Sequence, residues 1–500
     1  MNKSTPNPNP LMKLIKQSSH YLTGNFIALI SGFISMPILT RMLSTAEYGA
    51  LSLVYATIWI ALALAKGGLQ EAAVRFYDEY KNGANKDMSV YYSTFFFGSL
   101  GLAVLTGLAL WGLGVIFGDL LPSPDSQNTV PLIAGMVVSG ALFLRLNNFL
   151  RAEQNTKRYN LFVVLQRYAV LAFGLFFMYK LTRPLKGFLL GSLLGELLIV
   201  LTLFFLLLRQ GKIKISSVSV PFLKDCLYFG FPLVGFELAN FLVKIADRYL
   251  VQIFLGAESV GIYALAYNLC SYINDALFFA VWYAVYPIYI ELWQKKGEAE
   301  TAQFLSKAST YVLLIGVPIV WGFSALSEEL IRLLASEKYA VAAQFIPYLS
   351  IGMIFWGFIP VLGAGIYIHK KTKALSAITF WALLLNVGLD LILIPTLKLH
   401  GAALGTLATY TFLIVAVMRK SSQYLKIPIN GKVLLKSLVA SALMYLVLIN
   451  LAGWTGFVAL FVKILLGAGV YGLVILAIDR PLRQTTGHIL SKRVLLGSAS

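Results

Sequence analysis

The sequence predicts an all-α polytopic membrane protein. About fourteen transmembrane helices form two six-helix lobes in a parallel pseudo-twofold repeat, followed by two C-terminal helices. Three observations predict this fold. Apolar runs near the ~20 residues that cross a bilayer recur along almost the whole chain. Only 13% of residues are charged and mean hydropathy is +0.76, whereas a soluble protein carries about a quarter charged residues. A short charged turn near the start is also written again 212 residues later.

The elements follow in order. Residues 1–19 have no apolar core and no small-residue cleavage site, so they read as a flexible cytoplasmic tail without a cleaved signal. Candidate spans at 20–40, 48–70, 90–117, 130–150, 159–179 and 187–208 make the first lobe, 20–208. The polar stretch RQGKIKISSVSVPF, 209–222, is the cytoplasmic linker between lobes. Spans at 223–246, 260–289, 307–326, 344–368, 374–394 and 401–418 make the second lobe, 223–418. A cytoplasmic loop, 419–432, leads to spans 433–451 and 456–478 within the segment 433–478, and 479–500 is a cytoplasmic tail.

The net charge of +19 follows this topology. With the N-terminus inside, 28 Lys and Arg lie on the cytoplasmic side or at its span ends, against nine outside. Lys66, Arg145, Arg167 and Lys463 lie within spans. The bias is that of the positive-inside rule and places both termini in the cytoplasm. Only the outer loop with Lys180, Arg183 and Lys186 dissents. The excess charge is a topology signal and not a nucleic-acid patch.

The repeated turn is TRMLSTAEYG, 40–49, against FLGAESVG, 254–261. It aligns Leu43 with Leu255, Gly49 with Gly261, Leu53 with Leu265 and Tyr55 with Tyr267, and a one-residue gap brings Glu47 onto Glu258. Each turn links the first two spans of its block on the predicted outer face. Six spans is an even number, so the blocks enter the membrane in the same orientation, related by an axis along its normal. Coincidence is the alternative, but sequence, loop order and membrane side agree. Glu47 and Glu258 sit near the positive end of the helix that follows, a structural role.

Signatures of enzymes are missing. There is no phosphate-binding Walker loop, no H-E-x-x-H and no G-x-S-x-G elbow. No catalytic residue, metal or cofactor is predicted. His20, His369, His400 and His488 read as interfacial residues, and Cys226 and Cys270 as small core residues.

What remains is charge inside the membrane, where an Arg, Lys or Asp costs roughly 2.5–3.5 kcal/mol on insertion scales. Counted from the span ends, Arg145 lies about 9 Å deep and Arg167 about 12 Å deep. Neither helix carries a carboxylate at pairing distance within the membrane, so counter-charge comes from another helix, with Glu71 and Glu196 as candidates, or from a ligand. Snorkelling to the headgroups is one reading for Lys66 and the two arginines. The other is a cationic vestibule for an anionic ligand, with guanidinium groups suited to a diphosphate. In the second block, Glu237, Asn240, Lys244 and Asp247 recur at helical spacing, while Asn274 and Asp275, and Asn386 and Asp390, add acids within spans. Internal pairing with Lys244 competes with ion coupling for Glu237 and Asp247; Asp275, without a local partner in sequence, is the preferred titrating group. GSLLG (Gly191, Gly195) and GAALG (Gly401, Gly405) have the spacing of close helix packing, and Pro37, Pro318 and Pro360 are placed to kink their helices.

PILTRMLSTAEYGALSLV, 37–54, and GLQEAAVRFYDEY, 68–80, resemble the opening of polysaccharide-biosynthesis membrane proteins. These are the Wzx-like flippases of the multidrug/oligosaccharidyl-lipid/polysaccharide exporter superfamily. The resemblance implies two lobes around a central cavity and alternating access in a bacterial inner membrane. It implies a polyprenyl-diphosphate-linked oligosaccharide, flipped from the cytoplasmic to the outer leaflet. Membrane lipids, a polysaccharide polymerase and chain-length proteins are the implied partners. Spans 1, 2, 7 and 8 line the cavity in such folds, which favours Arg75, Glu71, Glu237, Lys244 and Asp275 and puts Arg145 and Arg167 on its border. The expected substrate contacts are therefore Arg75, Arg145, Arg167 and Lys244, and the expected ion-coupling groups are Glu71, Glu237 and Asp275. A multidrug exporter of this fold would prefer an acidic cavity. A peptidoglycan-precursor exporter would share the extra helix pair, and a glycan polymerase would need catalytic groups that the sequence lacks.

Overall fold

The computed structural model describes residue 27 and residues 30–83, 87–116, 126–451 and 453–484. The N-terminal tail, the first part of the span predicted at 20–40, His20, His488 and most of the C-terminal tail lie outside the described residues. Among the described residues there is no strand, and twelve helical stretches are long and apolar enough to cross a membrane. The protein is an all-helical, multi-pass membrane protein.

Helix α1 (30–42) is followed by α2 (Thr45–Lys66), α3 (Leu69–Asn82), α4 (Met88–Ile116), α5 (Ser126–Ala152), α6 (Thr156–Lys180) and α7 (Pro184–Arg209). The repeated turn explains the start of α2. Ser44 accepts a hydrogen bond from the Glu47 N–H at 3.1 Å while the Glu47 carboxylate accepts one from the Ser44 N–H at 2.8 Å, a reciprocal capping box. Asp87 caps α4 in the same spirit. Hydrogen bonds from the Ser89 hydroxyl and N–H hold its carboxyl below the usual range. Pro184 opens α7, where its missing N–H costs nothing.

Helix α8 (Val220–Lys296) contains the spans predicted at 223–246 and 260–289. Its path breaks at Gly256, with φ 83° and ψ 174°, a conformation open essentially to glycine alone. Then come α9 (Glu298–Leu334), α10 (Ile346–Leu362), the short α11 (Ala364–Ile368), α12 (Thr372–Leu397), α13 (Leu399–Ser421), α14 (Gly431–Asn450) and α15 (Phe457–Ile478). Pro318 and Pro360 lie inside α9 and α10, and α10 ends two residues after its proline.

The chain divides into two compact units. The first holds the described residues up to Ala264 together with Thr379–Ala402. Its core packs Tyr91, Phe95, Leu146, Phe149 and Cys226, with Tyr91 ringed by Tyr77, Tyr92 and Phe95. Helices α6 and α7 form a close hairpin: a Cβ on Gly191 would stand 2.1 Å from the Phe173 carbonyl oxygen and one on Gly195 2.6 Å from that of Ala169. The second unit holds Leu265–Ile378 and the described residues after Ala403. There Lys463 of α15, 1% exposed, pairs with Glu329 of α9 at 2.6 Å, and Lys436 of α14 pairs with Asp479 at 3.0 Å. These ion pairs pin the last two helices to α9 and to each other. His369 stands between the rings of Trp293 and Tyr424.

The two copies of the repeated turn meet inside the first unit. A Cβ on Gly49 would stand 2.0 Å from the Ala257 carbonyl oxygen, and a Cβ on Gly261 2.0 Å from that of Thr45. Thr45 and Ala257, like Gly49 and Gly261, are 212 positions apart, so the contact is reciprocal.

Candidate functional site

The site is built on the break between α2 and α3. Gly67 (φ 52°) and Gly68 (φ 70°) both take the left-handed conformation, which ends α2 at Lys66 and starts α3 on a new axis. Gly68 lies backbone to backbone against Gly230 of α8, where a Cβ would be 2.0 Å from the Gly230 carbonyl oxygen. Two buried side chains of α5 hold the first residues of α3. Arg145 donates from Nη1 to the Leu69 carbonyl at 3.0 Å, and Asn148 donates to that of Gln70 at 3.0 Å. Arg145 Nε donates to the Ser99 hydroxyl at 2.6 Å, and the guanidinium lies 5.4 Å from the centre of the Phe95 ring.

A tight crevice, without room for a water molecule, marks this junction and is lined by Ala65, Lys66, Gln70, Ser99, Ala141, Leu144 and Arg145. The Lys66 ammonium, on its edge, is paired with the Glu237 carboxylate of α8 and lies 5.9 Å from the Phe241 ring centre. Trp59 stacks on Phe241 with centroids 5.8 Å apart. Two cations therefore share one crevice within the apolar part of the molecule, one fixed in a hydrogen-bond fork and one held by a carboxylate.

The remaining predicted residues are placed as follows. Glu71 and Arg75 are exposed on α3; the charge of Glu71 bears on Arg145, and Arg75 lies over Phe76. Arg167 is exposed on α6, next to Gln166, which donates to the buried Glu196 at 2.9 Å. Glu196 also accepts from the Ser139 hydroxyl at 2.7 Å and feels the charge of Arg167. Lys244 is half-buried on α8. Asp275 is exposed in the second unit, beside a buried Asn274. The structure thus brings Glu237 to Lys66 and Arg145 to the start of α3, while Gln166, the neighbour of Arg167, belongs to a separate polar group around Glu196.

A second group of intramembrane acids lies in the first unit. Asp247, 1% exposed, accepts from the Tyr263 hydroxyl at 2.6 Å. On α12, Asn386 and Asp390 are buried, and neither oxygen of Asp390 nor either amide atom of Asn386 has a hydrogen-bond partner. The charge of Asp247 reaches Asp390. Asp247 also accepts from the Arg248 N–H at 2.7 Å, so Asp390 is the carboxylate left without a hydrogen-bond donor. Among the described residues no group of three or more His, Cys, Asp or Glu could hold a metal ion. The spacing of Asn386 and Asp390 by one helical turn within an apolar run is the signal that marks them in the sequence. The Lys66–Glu237 pair was not foreseen, because its partners stand 171 positions apart.

These features define a multi-pass helical membrane protein with charged groups held in its interior. Residues 14–293 match the family described as polysaccharide biosynthesis protein, and the chain belongs to that family. It is 24% identical over 358 residues to the succinoglycan biosynthesis transport protein ExoT of Rhizobium meliloti, covering 65% of this chain and 67% of that one. It is 23% identical over 401 residues to the lipopolysaccharide biosynthesis protein WzxC of Escherichia coli K12, covering 79% and 76%. Its fold matches that of the lipid II flippase MurJ in an inward closed conformation. The TM-score is 0.73 at 17% identity, over 92% of this chain and 98% of that one.

Proposed function

We propose that this protein translocates a polyprenyl-diphosphate-linked oligosaccharide from the cytoplasmic to the outer leaflet of the bacterial inner membrane, by alternating access. One observation supports the reading: a buried Arg145 and a partly buried Lys66 line one crevice at the α2–α3 break, in a family concerned with polysaccharide synthesis. An anionic head group is the ligand that two cations at one junction attract. Of the four proposed substrate contacts, Arg145 borders that crevice; Arg75, on the exposed face of α3, and Lys244 are placed to meet the head group before or after it, and Arg167 serves the neighbouring Glu196 group.

Coupling to an ion gradient is assigned to Asp390, Asn386 and Asp247, with Glu71 and Glu237 as further acids of the same unit and Asp275 as a separate candidate in the other. Uptake of a proton or monovalent cation at Asp390 neutralises a carboxylate that has no hydrogen-bond partner among the described residues. No chemical step on the glycan is required, and the protein acts as a transporter working beside a polysaccharide polymerase and chain-length proteins.

The test is deletion of the gene in its host, with lipid-linked oligosaccharides analysed by mass spectrometry and their sidedness probed in spheroplasts by an impermeant sugar-oxidising reagent. Completed units should accumulate facing the cytoplasm while surface polysaccharide disappears. Units that still reach the outer leaflet would overturn the reading.

A further inference from the structure

We propose that Lys66 is a substrate-binding residue that Glu237 holds in reserve. The Lys66–Glu237 pair fastens α2 to α8, and the diphosphate of the entering substrate takes Lys66 from Glu237 and so loosens that fastening. The inference rests on the flippase reading above and names the group through which binding would reach the helices.

Lys66 stands on the edge of the same crevice as Arg145. The two cations differ in mobility. Arg145 is locked by Ser99, the Leu69 carbonyl and Phe95. Lys66 is a point charge on a flexible stem, with three donors that can turn to a new acceptor. Its pair with Glu237 is not sealed: the side chains are 13% and 31% exposed, the carboxylate being the more open of the two. A diphosphate carries more negative charge than a carboxylate and offers several acceptors, so it competes favourably for the ammonium.

The pair also sits where a change of partner has a mechanical consequence. Lys66 is the last residue of α2, directly before the two left-handed glycines, and Gly68 makes the backbone contact with Gly230 seven residues before Glu237. Once Lys66 turns to phosphate, Glu237 is left as a half-buried negative charge facing another anion. Repulsion then acts on α8 at the point where it touches the α2–α3 junction. Substrate therefore interacts differently with the fastened and unfastened states, the condition for binding to shift a conformational equilibrium.

The test uses the full-length protein in nanodiscs with polyprenyl diphosphate lacking any sugar as the probe, comparing wild type, Lys66→Gln and Glu237→Gln. Both substitutions break the ion pair and should lower the melting temperature alike. Their effects on binding should be opposite. K66Q weakens it by at least about tenfold, the worth of one charge-assisted hydrogen bond, and E237Q strengthens it because the competitor is gone. Binding that moves in the same direction in both variants, or in neither, overturns the inference and leaves the flippase reading standing. Should K66Q fail to fold, E237Q decides alone, and unchanged or weaker binding overturns the proposal. Wild-type protein that does not bind the probe overturns both.

Discussion

A charge inside a bilayer must be solvated by something, and for Arg145 that something is protein. Ser99, the Leu69 carbonyl and the Phe95 ring surround its guanidinium. Replacing it by Met leaves a buried hydroxyl and carbonyl short of a donor, and should cost about 2 kcal/mol. Lysine keeps the charge but cannot reproduce the fork, so R145K should recover less than half of the loss in thermal unfolding of the purified protein. Asp390 is the opposite case, buried with no donor aimed at either oxygen. Asp390→Asn removes a charge that the fold does not pair, so stability should hold or rise by about 1 kcal/mol. Transport in proteoliposomes should meanwhile lose its dependence on an ion gradient; a destabilised variant that still responds to the gradient would refute the assignment. That Arg145 needs compensation from other helices was legible in the sequence, but the structure supplies it as the Ser99 hydroxyl and the Leu69 carbonyl rather than as a carboxylate. The partner of Glu237 was not legible. Helical spacing pointed to Lys244, and the structure supplies Lys66.

Among the elements, one close approach joins α2 to the second half of α8 through Gly49 and Gly261. A methyl group at either position would fall 2.0 Å from a backbone oxygen, so the helices must part to admit it. Gly49→Ala and Gly261→Ala should each cost about 1–3 kcal/mol as overpacking. The double variant should cost less than their sum, since both break one shared contact; melting curves of the three variants check this. The reciprocity of the contact gives the repeated turn a purpose beyond capping. The Ser44–Glu47 capping box sets the first turn of α2, and with it the face that Gly49 presents. The small-residue spacing of GSLLG was a legible sign of close packing, and Gly191 and Gly195 do lie against the carbonyls of α6. That Gly49 and Gly261 face each other could not be read from local pattern, because a glycine opening a helix looks like any other.

For the whole molecule, the positive-inside bias makes a prediction that does not depend on any side-chain contact. In a background without Cys226 and Cys270, single cysteines placed in 209–222 and 419–432 should react with an impermeant maleimide only from the cytoplasmic side. Cysteines in the Lys180–Lys186 loop should react only from outside, despite its three cations. Labelling of that loop from inside would overturn the count of about fourteen spans and the cytoplasmic termini with it. The apolar side chains exposed along the helices, among them Leu105, Val115, Phe205, Ile253, Phe461 and Leu473, form the surface that lipid covers. Their abundance is why composition alone identified a membrane protein.

The sequence by itself determined the class of the protein, its helical make-up and its family, because hydropathy, loop charge and a capped turn are local properties that survive in one dimension. It also marked out the charged residues that would have to justify their burial. Only the tertiary structure decided which of those charges meet: Lys66 with Glu237, Arg145 with the head of α3, Asp247 near Asp390. Those pairings link positions on separate helices, and a helix's pattern fixes which face a residue occupies without saying which neighbour that face will touch. The energy that selects the neighbour comes from desolvated charge and close-packed backbone, and both exist only once the helices are assembled.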